Sequence, residues 1–208
     1  MKRTLTLLLA LLTCFSVILS MTACDSNPPT NAAPTTTAAP KHPIEAFAAR
    51  MAAADSAQMV MTMYDLPFFG TITMVYKHDG NIDYTSGTIL SEESYTETLD
   101  NVTYEYSKGE DGKWTKTQAE QSDEDEGGTD EFTKLMENPD NFELVEGTEN
   151  TYKQKSNIVF DEFDDVTITI EENSCTIEMM ISEDLTCRCK LVISHIGEVE
   201  LTLPEVSE

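Results

Sequence analysis

From Gln58 to Pro204 bulky apolar residues recur mostly at every second position, and turn-forming residues interrupt them at short intervals. A period of two puts alternate side chains on opposite faces of an extended chain, and connections this short join antiparallel neighbours. The pattern predicts strands over 59–64, 71–78, 81–90, 93–99, 102–107 and a segment carrying Trp114. It predicts further strands over 142–146, 151–155, 165–171, 174–181, 185–194 and 198–203. Asp79-Gly80 is the strongest hairpin signal, with further turns at Leu66-Pro67-Phe68-Phe69-Gly70, Asp100-Asn101 and Gly109–Gly112.

Two segments follow a helical period instead. Pro43 suits the first residue of a helix, and Ile44, Phe47, Ala48 and Met51 then form one apolar stripe, which predicts a helix from 43 to about 55. Phe132, Leu135 and Met136 predict a short helix over 130–137, ended by Asn138-Pro139. The fold class is therefore mainly β (α+β).

The N-terminus reads as an address. Basic Lys2 and Arg3 precede an uncharged apolar run from Thr4 to Ser20, followed by Met21-Thr22-Ala23-Cys24. Small Ala23 before Cys24 resembles the lipobox of bacterial lipoproteins, in which the cysteine thiol accepts a diacylglyceryl group and becomes the new N-terminus. That predicts a signal peptide over 1–23, lipidation at Cys24 and an extracytoplasmic protein held at the bacterial cell membrane. Each buried methylene of the anchor contributes about 0.8 kcal/mol, so two or three acyl chains hold the chain without a spanning helix. Asp25–Pro43 is rich in Pro, Thr and Ala and lacks bulky apolar residues, which predicts a disordered tether over 24–43 reaching roughly 60 Å. The folded domain then occupies 44–208.

Charge narrows the partners. The chain carries 13 basic residues against 38 acidic ones, a formal charge of -25, which excludes the phosphate-neutralising surface of a nucleic-acid binder. Mutual repulsion favours a position standing off an anionic leaflet.

The order of these elements, a lipidated cysteine, a tether, one helix, a long meander and a small helical insertion, resembles the LolA and LppX/LprG superfamily across residues 44–204. Its most suggestive segments are Ser56–Met63 after the helix and the ending Ile193–Pro204. The resemblance implies a curved antiparallel sheet or half-barrel of about 11–12 strands wrapped around helices. It also implies a lipid or other apolar ligand in the space between sheet and helices.

Four groups of residues are candidates for chemistry. Met59, Met61 and Met63 share one strand face, and Ile72, Met74 and Tyr76 share one face of the next strand. Of these, Met59, Met61, Met63, Ile72 and Met74, together with Ile177, Met179 and Leu191, are candidate walls of a ligand groove, because unbranched thioethers repack around variable apolar shapes. The competing expectation is a dry core against Ile44, Phe47 and Met51. Cys175, Cys187 and Cys189 fall on one hairpin and, with a three-residue turn at Ser182–Asp184, all face the apolar side, with Ile177 opposite Cys189. They read as buried free thiols or as a strained Cys175–Cys189 pair, and their spacing does not suit zinc.

The acidic run Glu120–Glu131 has Lys134 where an EF-hand closes with Glu, so it reads as a solvated loop, as does Asp161–Asp165. His42, His78 and His195 belong to no catalytic motif, so the chain reads as a binding protein without enzymatic activity, cofactor or metal. The alternative to ligand carriage is a surface interaction or structural module with a filled core that binds a protein or cell-wall partner.

Overall fold

The computed structural model describes residues 42–88, 93–109, 111–119, 136, 138–158, 163–181 and 187–206. The expected signal segment, Cys24, most of the tether, the acidic run and nearly all of the helical insertion lie outside the described residues.

Helix α1 (Pro43–Ala52) begins with Pro43 in its first turn and with His42 as N-cap. The Ile44 N–H donates to His42 Nδ1 at 3.2 Å and the His42 N–H donates to Glu45 Oε2 at 3.2 Å, so a reciprocal capping box forms with imidazole in place of the usual hydroxyl. Ile44 and Phe47 are buried, each contributing about 2 kcal/mol by leaving water, and Met51 packs at the margin. At the other end Arg50 donates to the Glu172 carbonyl, which ties α1 to the turn after β9.

The strands are β1 (Ser56–Leu66), β2 (Gly70–Asp79), β3 (Ile82–Gly87), β4 (Ser94–Leu99), β5 (Val102–Lys108), β6 (Trp114–Gln118), β7 (Phe142–Leu144), β8 (Thr151–Gln154), β9 (Phe163–Ile170), β10 (Cys175–Ile181) and β11 (Cys187–Ser194). A single-turn 3-10 helix at Pro139–Asn141 leads into β7. Among the described residues eleven strands form one curved, unclosed antiparallel sheet, in the order β6-β5-β4-β3-β2-β1-β11-β10-β9-β8-β7. Two meanders thus meet where the first strand pairs with the last, Gln58 opposite Ser194 through Tyr64 opposite Arg188.

The core lies on the face that carries α1. Ala57, Met59, Met61 and Met63 of β1 point there, flanked by Ile72 and Met74 of β2 and by Cys189, Leu191 and Ile193 of β11. Phe142, Tyr152, Val166, Ile168, Ile177 and Ile181 extend it toward β7. On β3 to β6 the polarity reverses. Continuing the register, Asp83, Thr96, Glu105 and Thr117 fall on the helix face, whereas Tyr84, Tyr95, Tyr106 and Trp114 fall on the opposite one. Those rings pack as a ladder, Tyr84 to Tyr95 at 4.9 Å and Tyr95 to Trp114 at 5.4 Å between centroids, with Lys77 and Lys108 over its ends.

Two sequence expectations change. The expected strand at 198–203 is not one, because both edges of β11 are already taken by β1 and β10 and a further hairpin has no edge to join. The segment instead crosses the sheet end. Gly197 N–H donates to the Ser56 carbonyl at 2.7 Å, Val199 N–H to Ser56 Oγ at 3.1 Å and Leu201 N–H to Asp79 Oδ2 at 2.8 Å, before Val206 bridges Trp114. The β2–β3 turn also falls one residue later than Asp79-Gly80. Asp79 pairs with Ile82, and Gly80 (φ 59°) and Asn81 make the turn, with Gly80 supplying the positive φ at no steric cost.

Gly87 is needed for a different reason, close approach. A Cβ there would sit 2.9 Å from the Thr73 carbonyl oxygen and 3.0 Å from Met74 Cγ. Gly87→Ala should cost about 1–3 kcal/mol in urea unfolding by forcing β2 and β3 apart. A variant of wild-type stability would contradict this packing.

Candidate functional site

The structure brings all eight candidate groove residues into one patch across β10, β11, β1 and β2. Met61 lies opposite Leu191 on one side and Met74 on the other, Met63 opposite Ile72, Ile177 opposite Leu191 and Met179 opposite Cys189. Each of the eight is only 1–6% exposed, and all belong to one cluster with Ile44 and Phe47 of α1. Protein atoms therefore cover these side chains on the helix side. Cys24 lies outside the described residues.

The three thiols share this face and are free and buried. Their register differs from expectation by two residues: Ile181 pairs with Cys187, Met179 with Cys189 and Cys175 with Ile193. The connection between the strands is thus five residues, 182–186, rather than a three-residue turn. A two-residue slip preserves the face, so the sulfurs stay inside, but it moves Cys175 away from Cys189 and removes the diagonal pair. Burial pushes Cys175 and Cys189 up to about 12 from 9.0, and Cys187 also upward, so all three are neutral thiols near neutral pH.

A raised thiol pKa disfavours the native state once the unfolded chain can ionise. The stability from Cys175 and Cys189 should be intact below pH 9 and fall between pH 9 and 12, by about 1.4 kcal/mol per pH unit and thiol. Urea midpoints across that range should flatten in Cys175→Ala and Cys189→Ala relative to wild type. Parallel curves would show that these thiols are not the cause.

At the border between apolar and Thr-rich parts of the helix face sits a polar network that sequence reading missed. His78 is 5% exposed, and its Nδ1 lies 2.7 Å from Asp83 Oδ1, directly across the β2–β3 pair. Tyr76 donates its hydroxyl to the same carboxylate oxygen, and Thr96 Oγ1 donates to Asp83 Oδ2 at 3.4 Å. Burial first, then the Asp83 charge, pushes the Tyr76 hydroxyl strongly upward, which keeps it a neutral donor. The signal depends on the turn: His78 and Asp83 are the second pair out from Gly80-Asn81 and face each other only because the turn falls one residue later than Asp79-Gly80.

The network satisfies groups that would otherwise be orphaned, and among the described residues no buried side-chain nitrogen or oxygen lacks a partner. Asp83→Ala should therefore cost about 1–3 kcal/mol in urea unfolding, because both His78 and Tyr76 lose their acceptor. A neutral result would mean that water serves both equally well.

The opposite face carries every Lys and Arg that the strands contribute: Lys77, Lys108, Lys116, Lys153, Arg188 and Lys190. Most pair with carboxylates, Lys116 with Glu97 at 2.9 Å, Lys153 with Glu143 at 3.2 Å and Lys190 with Glu178 at 3.8 Å. Hydrogen bonds from Lys116 and from Tyr106 hold the Glu97 carboxyl below the usual range. Between β1, β11, β10 and β9 a cleft of about 470 Å³ opens, lined by Arg188, Lys190, Glu178, Asp165, Tyr64 and Met180 among others. It coincides with a register shift between Glu178 and Met180, where Asp165 adopts φ 53°. Among the described residues no group of three or more His, Cys, Asp and Glu could hold a metal ion.

No family model matches the chain, and no curated protein is similar to it at a significant level. Among the described residues no helix is long and apolar enough to cross a membrane, and the apolar run Thr4–Ser20 is not one of them.

Proposed function

We propose that the chain is a membrane-tethered, extracytoplasmic interaction module without enzymatic activity, in which the sheet is a rigid carrier and the outward surfaces do the binding. The observation behind this reading is the burial of Met59, Met61, Met63, Ile72, Met74, Ile177, Met179 and Leu191 in one cluster with Ile44 and Phe47, which leaves a groove ligand no exposed wall among them. Lys2-Arg3, the apolar run and Ala23-Cys24 supply the address, and the Pro- and Thr-rich tether sets the distance from the bilayer.

The rival reading is carriage of a lipid in that groove, in line with the LolA-like order of elements. The methionines favour it, since Met59, Met61, Met63, Met74 and Met179 form a wall that can repack without a fixed shape.

Met61→Glu separates the two. In a filled core an unpaired carboxylate should cost about 3–5 kcal/mol and unfold the domain, read by urea titration. A folded variant that has lost a lipid found at stoichiometric amount by mass spectrometry of the wild-type protein would establish carriage instead.

A further inference from the structure

The β1–β2 connection is unlike the other turns of the sheet. Leu66-Pro67-Phe68-Phe69-Gly70 contains no charged residue, in a chain of formal charge -25. Phe68 is 100% exposed and Phe69 53%, the two most exposed of the large hydrophobic residues described. Phe68 also adopts φ 74°, a conformation that glycine takes freely and a bulky residue rarely does. Neither packing nor backbone preference explains an aromatic side chain here. A strained residue that the fold does not need points to a role in contact with something else.

The cleft on the open face lies beside the base of this hairpin: Tyr64 lines it and pairs with Arg188, and Arg188 Nη2 is 3.8 Å from Asp65 Oδ2. Its lining carries both signs of charge, Arg188 and Lys190 on β11 with Glu178 on β10 and Asp165 on β9, and Lys190 pairs across the strands with Glu178 at 3.8 Å. A phosphate group suits the cations of this lining and an ammonium group its carboxylates. An uncharged aromatic tip with a bipolar cleft behind it matches the layering of a phospholipid surface, apolar below and zwitterionic above.

We propose that this end of the sheet is a contact surface for zwitterionic phospholipid, with Phe68 and Phe69 entering the apolar layer and the cleft facing the phosphate and ammonium of the headgroups. The proposal rests on the membrane address given above and adds what the domain does there. The tip is a protrusion rather than a socket, which suits a deformable bilayer. Long-range repulsion between an acidic chain and an anionic surface selects neutral headgroups over anionic ones.

The test uses the full chain reconstituted in phosphatidylcholine vesicles, with Trp114→Phe so that one tryptophan can be placed at will. Phe68→Trp should float with the vesicles, emit at shorter wavelength than in water and be quenched at least twofold by acyl-brominated phosphatidylcholine. Leu99→Trp, at the opposite end of the sheet, should not be quenched. Replacing half the lipid by phosphatidylglycerol should weaken the quenching at position 68. Arg188→Glu should weaken it about twofold, and no effect of this change would overturn the headgroup assignment.

A chain that floats while position 68 is quenched no more than position 99 would overturn the lipid contact and leave the membrane address standing. A chain that does not float would remove the address and this proposal with it. Unchanged urea midpoints for each variant establish that the readout comes from the tip and not from a lost fold.

Discussion

Everything in this sheet depends on the pairing of β1 with β11. The two strands are about 130 residues apart in sequence, yet they form the centre of the sheet, joined by seven residue pairs. Each meander on its own would expose an edge at that line, and neither half would bury both sides of the Met59, Met61 and Met63 stripe. The pairing closes a long loop before it is rewarded, so its stability must come from side chains rather than from local turns. Met61 against Leu191 and Met63 against Cys189 supply that on the helix face, where they join one buried cluster with Ile44 and Phe47.

The same sheet carries two apolar layers on opposite sides. At β1, β2 and β9 to β11 the core faces α1, whereas at β3 to β6 the aromatic residues turn away from it. A continuous hydrogen-bonded sheet tolerates this change because alternation within each strand is preserved and only the choice of face differs. The border needs a polar solution, and the Tyr76–Asp83–His78 network stands there with Thr96. The crossing C-terminal segment ties the two regions together, held at Ser56 and Asp79 in the centre and at Trp114 on the outer edge.

Much of the fold was legible in the alternation, because short antiparallel connections leave few other topologies. The strand order was not. Nothing local in Val199, Leu201 and Leu203 distinguishes a twelfth strand from a crossing segment, since the difference lies in whether a partner edge is free. Membership of the candidate patch was legible for a similar reason: Met59, Met61, Met63, Ile72 and Met74 share a face in any register that keeps parity. Whether that face is a groove or a core depends on what lies above it, and alternation carries no information about cover. The cleft was invisible because it arises from a bulge at Asp165, where a single positive φ displaces the register of β9.

By itself the sequence determined a mainly antiparallel β-domain, the acidic charge, the faces on which the methionines and thiols lie, and the proline that starts α1. These are consequences of side-chain period and of local hydrogen bonding, which act over a few residues. Tertiary structure alone decided that the first and last strands meet in the centre, that the apolar side switches between β2 and β3, and that His78 is buried against Asp83. It also decided that Phe68 stands fully in solvent while equally apolar residues nearby are covered. Those outcomes depend on which edges and faces are occupied by segments distant in the chain, and a competition for shared surface is settled only when the whole sheet is assembled.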